Sequence, residues 1–300
     1  MPIHLPPLSR RRFLAGLGSS IVLPAFTRAA TTGADDALIA ILNDTHIGEK
    51  QPLDSAIPAH LRDTVNYLLE LPQPPAAVLI NGDLALRDGQ PGDYVKFLGL
   101  IRPLREAGLS VHLTLGNHDE REIFLDAYRK TIPSAPLHSG RYNGIVETKH
   151  ANFFLLDSLK KTMIAQGDLG QQQRDWLTKE LDARTSKPAI IVAHHNPRLG
   201  GDPLHFPGGL EDSEALWQII APRKHVKAYI HGHIHHWSLA AHQDIHIINT
   251  LATSYVADPT KSTTGWTMAR LSERSIELTL HTHSADHPWN GERKTLGWRV

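Results

Sequence analysis

The sequence predicts an α/β fold, and two observations support this fold class. Five short apolar runs rich in Val and Ile are typical of buried parallel strands, at 38–42, 76–80, 111–115, 189–193 and 228–230. Between the first three runs, residues 58–71 and 94–107 carry apolar side chains at helical spacing. This alternation of strand and helix favours right-handed βαβ crossovers.

The second half of the chain has a more mixed pattern. Alternating or β-branched segments predict further strands at 142–148, 152–157, 245–249, 266–271 and 275–281. The first two of these strands are expected to form a hairpin, and so are the last two. Residues 171–183 predict one amphipathic helix. We therefore expect antiparallel strands in addition to the parallel ones.

A short polar motif follows each of the five apolar runs. The motifs are Asn43-Asp44-Thr45-His46, Gly82-Asp83, Gly116-Asn117-His118-Asp119, His194-His195-Asn196-Pro197 and Gly232-His233-Ile234-His235. In open α/β sheets, sites form at the carboxyl ends of strands, so these side chains are expected to meet in one place. Carboxylate, amide and imidazole groups together suit two divalent cations.

In this order, the five motifs resemble those of the calcineurin-like metallophosphoesterase family, over about residues 38–250. The resemblance implies a four-layer α/β/β/α sandwich of two mixed sheets with a binuclear metal centre. The ligands that it implies are Asp44, His46 and His235 for one metal, Asn117, His194 and His233 for the second, and Asp83 as the bridge. Such ligands accept Mn, Fe, Zn or Co, so the sequence leaves the identity of the two divalent ions open.

The resemblance also implies catalytic roles for His118 and Asp119. His118 is expected to protonate the leaving oxygen, and Asp119 to orient the His118 ring and raise its pKa. A hydroxide that bridges the two metals is the expected nucleophile. His195 is expected to support the ligands or to contact substrate. Arg198, in a Gly- and Pro-rich loop, is the other candidate substrate contact.

The N-terminus predicts export. Residues 1–30 contain no acid, and three consecutive arginines precede the apolar stretch 15–26; the arginines are Arg10, Arg11 and Arg12. This pattern resembles a bacterial twin-arginine signal, which implies the twin-arginine export machinery as a partner and a periplasmic or secreted location. The stretch is shorter than the ~20 residues of a membrane span, so we expect no span after signal removal.

These patterns divide the chain into three parts: a signal peptide at 1–30, a metallophosphoesterase domain at 35–285 and a C-terminal tail at 286–300. The whole chain has 31 basic and 31 acidic residues, and 27 basic and 31 acidic without the first thirty, a balance of −4. A mildly acidic mature protein is a poor candidate for stable nucleic-acid binding. The chain contains no Cys, which excludes disulfides and thiolate chemistry.

The sequence therefore predicts an exported phosphoesterase that hydrolyses a small-molecule phosphodiester, such as a cyclic nucleotide or a glycerophosphodiester. A phosphomonoesterase or pyrophosphatase on the same site is the alternative within hydrolases, and a non-catalytic scaffold is the alternative outside them. We favour a diester because the basic residues near the motifs, Arg87, Arg121 and Arg198, give little support to the extra charge of a monoester. Selectivity is expected in the loops 48–60, 196–212 and 253–264.

Overall fold

Two β-sheets form the centre of the computed structural model, which describes residues 3–5, 33–131, 141–199 and 208–300. The first sheet has the strand order β1 (Ile3–Leu5), β4 (Val111–Thr114), β3 (Pro75–Asn81), β2 (Asp35–Asn43), β11 (Gly265–Leu271), β12 (Ser275–Thr282) and β13 (Arg293–Gly297). The second has the order β5 (Gly144–Glu147), β6 (Asn152–Leu155), β7 (Ala189–Val192), β8 (Val226–His231), β10 (Ile245–Asn249) and β9 (Ser238–His242).

Both sheets are mixed, with parallel strands at the centre and antiparallel strands at the edges. In the first sheet β2, β3 and β4 are parallel, and β11 joins β2 antiparallel. In the second sheet β6, β7, β8 and β10 are parallel, while β5 and β9 pair antiparallel with the ends of that row. The carboxyl ends of the parallel strands therefore lie along one edge of each sheet.

Helices cover the outer face of each sheet. They are α1 (Ala56–Glu70), α2 (Pro91–Glu106), α3 (Arg121–Thr131), α4 (Gly170–Ala183) and α5 (Ser213–Ile220). The alternation of side chains along β2 shows the layering: Ala40 and Leu42 pack with the residues of α1, α2 and α3, whereas Ile39 and Ile41 pack against the second sheet. Helices α4 and α5 cover the other face of the second sheet.

The predicted four-layer α/β/β/α sandwich of two mixed sheets is confirmed. Both predicted hairpins form, β5 with β6 and β11 with β12. The sequence interpretation did not assign α3, α5 or β9. It also ended the domain at residue 285, whereas Arg293–Gly297 pairs antiparallel with β12, so the sheet continues into the segment expected to be a tail.

The predicted signal peptide lies outside the described residues, except for the short strand Ile3–Leu5, which pairs antiparallel with β4. Within the described parts of the chain, the structure contains no helix with the length and apolar character needed to cross a membrane.

Candidate metal centre

The loops that follow the parallel strands bend sharply at the motif residues. Five of the seven predicted ligands have a positive φ: Asp44 (51°), His46 (47°), Asp83 (47°), His233 (70°) and His235 (54°). Residues other than Gly rarely adopt this conformation, and such strain is concentrated at functional sites because the surrounding structure must hold it. The backbone therefore turns sharply at five of the ligands, and their donor atoms come together there.

Two glycines make room for the ligands. A Cβ atom at Gly82, where φ is +78°, would lie 2.4 Å from His194 Nδ1, and a Cβ at Gly116 would lie 2.2 Å from Asp83 Oδ1. Both distances are too short for any side chain. Only Gly fits at these positions, because the side chain of a metal-site residue packs directly against the backbone there.

One group of candidate ligands joins Asp44, His46, Asp83 and His235, whose donor atoms all lie within 4.8 Å of one another. His235 Nε2 is 3.1 Å from Asp44 Oδ1, and His46 Nε2 is 3.2 Å from His235 Nε2. His46 Nε2 also lies 3.7 Å from Asp83 Oδ2. Two carboxylates and two imidazoles thus converge on one point.

The second group contains Asp83, His194 and His233, whose donor atoms also lie within 4.8 Å of one another. His194 Nε2 lies 3.3 Å from Asp83 Oδ2, so the Asp83 carboxylate belongs to both groups. Asn117 lies beside this group, since the backbone N–H of the next residue, His118, donates to Asp83 Oδ1 at 2.8 Å. The structure thus brings six of the seven predicted ligands into two donor groups that share Asp83, and it places Asn117 beside the second group.

The donor set fits a pair of divalent cations. The Asn117 side chain is buried, and its Oδ1 atom has no hydrogen-bond partner among the described residues. A buried carbonyl oxygen without a partner costs free energy unless something else satisfies it, and a cation does so. The mixture of carboxylate, amide and imidazole donors matches a binuclear site for borderline metals.

Backbone carbonyls determine which ring nitrogen three of the four ligand histidines can offer to a metal. His46 Nδ1 is 3.3 Å from the Leu86 carbonyl oxygen, and His194 Nδ1 is 3.0 Å from that of Asn81. Because a carbonyl only accepts hydrogen bonds, Nδ1 carries the proton and Nε2 is left as the metal donor. His233 is reversed, since its Nε2 lies 3.1 Å from the Gly208 carbonyl oxygen.

Burial and charge set the protonation of the ligands before metal binds. Burial lowers the pKa of His46 to about 4 and that of His233 to about 3, so both rings are neutral at pH 7. Burial also opposes the charge on His194, but the carboxylate of Asp83 outweighs it and raises the pKa of His194 to about 9. In the metal-free protein, a protonated His194 therefore balances part of the carboxylate charge.

The structure corrects the role predicted for Asp119. Its buried carboxylate accepts hydrogen bonds from the backbone N–H groups of Leu84, Ala85 and Gly116, at 2.9–3.1 Å. Burial and the negative charge of Asp83 raise the pKa of Asp119 to about 7. Asp119 therefore joins two ligand loops and is not the partner of the His118 ring.

The His118 ring is oriented by the backbone instead. His118 Nδ1 lies 2.7 Å from the carbonyl oxygen of Arg87. The ring is also 5.1 Å from that of His46, between centroids, in an edge-to-face arrangement. His118 thus lies beside the ligands, and none of the residues that the structure describes hydrogen-bonds to its Nε2 atom.

The two candidate substrate contacts differ in position. His195 is completely buried, its Nδ1 lies 2.7 Å from Ser158 Oγ, and its ring centroid is 4.7 Å from that of His233. His195 therefore supports a ligand ring from inside the protein. Arg198 is half-buried, and its backbone N–H donates to Ser213 Oγ at 2.8 Å. Residues 200–207, which follow it, lie outside the described residues.

One residue at the centre was not singled out from the sequence. The Tyr255 ring lies 5.6 Å from the His46 ring and 5.4 Å from the His235 ring, between centroids. The sequence placed Tyr255 only within the selectivity loop 253–264, because no apolar run or motif surrounds it.

Comparisons with known proteins agree with this geometry. The model of the family described as calcineurin-like phosphoesterase matches residues 37–237. The chain is 28% identical to the 3′,5′-cyclic adenosine monophosphate phosphodiesterase CpdA of Vibrio vulnificus, over 69% of this chain and 70% of that protein. It is 25% identical to the glycerophosphodiester phosphodiesterase GpdQ of Enterobacter lignolyticus, over 72% of this chain and 77% of that protein.

A solved structure shares the fold. The dimetal phosphatase from Danio rerio superposes with a TM-score of 0.66 at 16% identity, covering 87% of this chain and 98% of that one. The family model includes every residue of the two donor groups. The chain therefore belongs to the calcineurin-like phosphoesterase family, and it is a metal-dependent phosphoester hydrolase.

Proposed function

We propose that this protein is an exported phosphodiesterase with a binuclear metal centre. The observation that supports the proposal most strongly is the shared carboxylate of Asp83, which belongs to both donor groups. When bound, two divalent cations withdraw charge from a phosphoryl group and lower the pKa of a coordinated water. The residues proposed to hold them are Asp44, His46, Asp83, Asn117, His194, His233 and His235.

The protein's own contribution to the reaction is position and proton transfer. The hydrogen bonds of His118 to Asp83 and Arg87 hold the imidazole at a fixed place beside the donor groups. With both ring nitrogens protonated, His118 can then donate its Nε2 proton to the leaving oxygen, the role of a general acid. Asp119 fixes the position of the Asp83 loop relative to the His118 loop, because its buried carboxylate accepts hydrogen bonds from both.

A diester is the favoured substrate class for two reasons. Relatives of the chain are named as cyclic nucleotide and glycerophosphodiester phosphodiesterases. In addition, Arg121 is not available to neutralise a second phosphate charge, because its Nε donates to the buried Asp157 carboxylate at 2.8 Å. A diester monoanion needs less positive charge beyond the metals than a monoester dianion.

The test is a comparison of kcat/KM for bis(nitrophenyl) phosphate and nitrophenyl phosphate, with the same metal and pH. We expect the diester to be hydrolysed at least as efficiently as the monoester. A monoester preference of about tenfold, or about 1.4 kcal/mol of transition-state stabilisation, would replace the diesterase proposal with a phosphomonoesterase.

Export is proposed from the sequence alone. The supporting feature is the arginine run before an apolar stretch, at residues 10–12 and 15–26.

A further inference from the structure

Three residues with exposed apolar side chains contact residues of the candidate metal centre. Tyr255 is 42% exposed, Leu86 is 40% exposed and Met163 is 44% exposed. A single exposed apolar residue needs no explanation, because much of any protein surface is apolar. These three, however, are each held by a contact to a residue of the metal site, and a group of exposed apolar residues at a site indicates binding.

Tyr255 is held against the ligands. Its ring is nearly perpendicular to those of His46 and His235, with interplanar angles of 76° and 86°. The preceding residue, Ser254, is fixed on both sides, because its N–H donates to the Asp44 carbonyl and its carbonyl accepts from His60 Nδ1 at 3.1 Å. The Tyr255 ring therefore has a defined position, yet a large part of it is open to solvent.

Leu86 and Met163 are placed by backbone contacts to other site residues. The Leu86 carbonyl oxygen lies 3.3 Å from His46 Nδ1. The Met163 N–H donates to the Asn117 carbonyl at 2.8 Å, and Met163 has a positive φ of 66°. A strained residue at this place indicates that the loop is held in position by its surroundings.

Two basic side chains near this region are already engaged. Arg121 is paired with Asp157, and Lys160 Nζ lies 2.6 Å from Glu211 Oε2. The Tyr255 ring therefore lies beside the ligands, and the backbone contacts of Leu86 and Met163 place two further exposed apolar residues next to residues of the site. Such a surface fits a ligand with a flat, uncharged ring.

We propose that Tyr255 is a specificity-determining residue that stacks on the base of a nucleotide diester, and that Leu86 and Met163 line the same base-binding subsite. This inference rests on the proposed function and narrows its substrate class. An aromatic ring stacks on any base through its π-face, whereas the glycerol part of a glycerophosphodiester has no ring to stack on. The subsite therefore favours cyclic nucleotides over glycerophosphodiesters.

The experiment compares two diesters with the metal-loaded protein: 3′,5′-cyclic adenosine monophosphate and glycerophosphoethanolamine. In Tyr255→Ala we expect KM for the cyclic nucleotide to rise on the order of tenfold, with kcat and the metal content nearly unchanged. The kinetics of glycerophosphoethanolamine should change by less than about threefold. Tyr255→Phe keeps the ring and should behave like the parent. Val95→Ala, which changes an exposed apolar residue of α2, is the matched control.

Two outcomes would overturn the inference. Equal losses on both substrates together with loss of metal would show that Tyr255 only supports His46 and His235. Unchanged KM for the cyclic nucleotide would show that the ring does not contact the base. If the parent hydrolyses neither diester, the diesterase proposal fails, but binding of adenosine monophosphate and glycerol phosphate to the same variants still tests the base contact. Tyr255→Ala should then weaken only the binding of adenosine monophosphate.

Discussion

The imidazole of His118 is hydrogen-bonded to the backbone of Arg87, with 2.7 Å between His118 Nδ1 and the Arg87 carbonyl oxygen. Because the carbonyl can only accept, Nδ1 keeps its proton, and Nε2 is the position that binds a second proton and gives it up. The N–H of His118 donates to Asp83, so the same residue is tied to the carboxylate shared by both donor groups. Proton donor and metal centre are thus fixed relative to each other.

His118→Ala should therefore impair only reactions that need a protonated leaving group. We expect kcat/KM to fall by about 10²-fold or more for an alkyl or ribose ester, and by much less for a nitrophenyl ester. The metal content should be unchanged, because His118 is not among the candidate ligands. Equal losses for both esters would argue against the acid role. His150→Ala, in the turn between β5 and β6, serves as the control.

Asp119→Ala should affect stability more than chemistry. Three buried backbone N–H groups lose their acceptor, so the free energy of unfolding should fall by roughly 3–5 kcal/mol. Denaturant unfolding of the metal-free protein measures this change. A stable variant that shows the same leaving-group dependence as His118→Ala would mean that Asp119 acts through the His118 ring after all.

Much of the site was predictable because strand ends converge. The apolar runs located β2, β3, β4, β7 and β8, and the polar motif after each strand had to lie at the same edge. The Asp, Asn and His side chains in these motifs are metal ligands by type, so the sequence alone predicts a metal site. Helix α3 was missed because its apolar residues Phe124, Leu125 and Tyr128 span barely one turn among charged residues.

Other features of the site and the fold depend on contacts that a local sequence pattern does not predict. The partner of the His118 ring is a main-chain carbonyl, and main-chain groups have no sequence signature. The contact between Tyr255 and His46 joins residues that are far apart in the chain. The strand Arg293–Gly297 is polar and mostly exposed, so its sequence lacks the apolar alternation of a buried strand.

Metal binding should release a proton at neutral pH. The Asp83 carboxylate overcomes burial and raises the pKa of His194 to about 9, so metal-free His194 is protonated at pH 7 and must lose its proton to become a ligand. Despite its burial, the pKa of His235 is also raised, by Asp44, so the apparent metal affinity should rise by at least about tenfold per pH unit between pH 6 and 8 and level off above about pH 9. Titration calorimetry in buffers of different ionisation enthalpy measures the release. An affinity independent of pH in this range would contradict the assignment.

Export should depend on the guanidinium groups of residues 10–12. Replacing Arg10, Arg11 and Arg12 with Lys keeps the charge but removes the feature that the twin-arginine machinery reads. We expect the variant to remain folded in the cytoplasm, which cell fractionation with an activity assay detects. Export equal to that of the parent would show that another signal directs the protein.

Two cations should act together through Asp83, and a metal titration of the metal-free protein measures this cooperation. We expect two divalent ions per chain, with diester hydrolysis rising only as the second ion binds. Asp83→Asn, which removes the shared charge, should bind at most one ion tightly and lose activity by about two orders of magnitude or more. Full activity with one ion per chain, or normal turnover and two bound ions in Asp83→Asn, would contradict it.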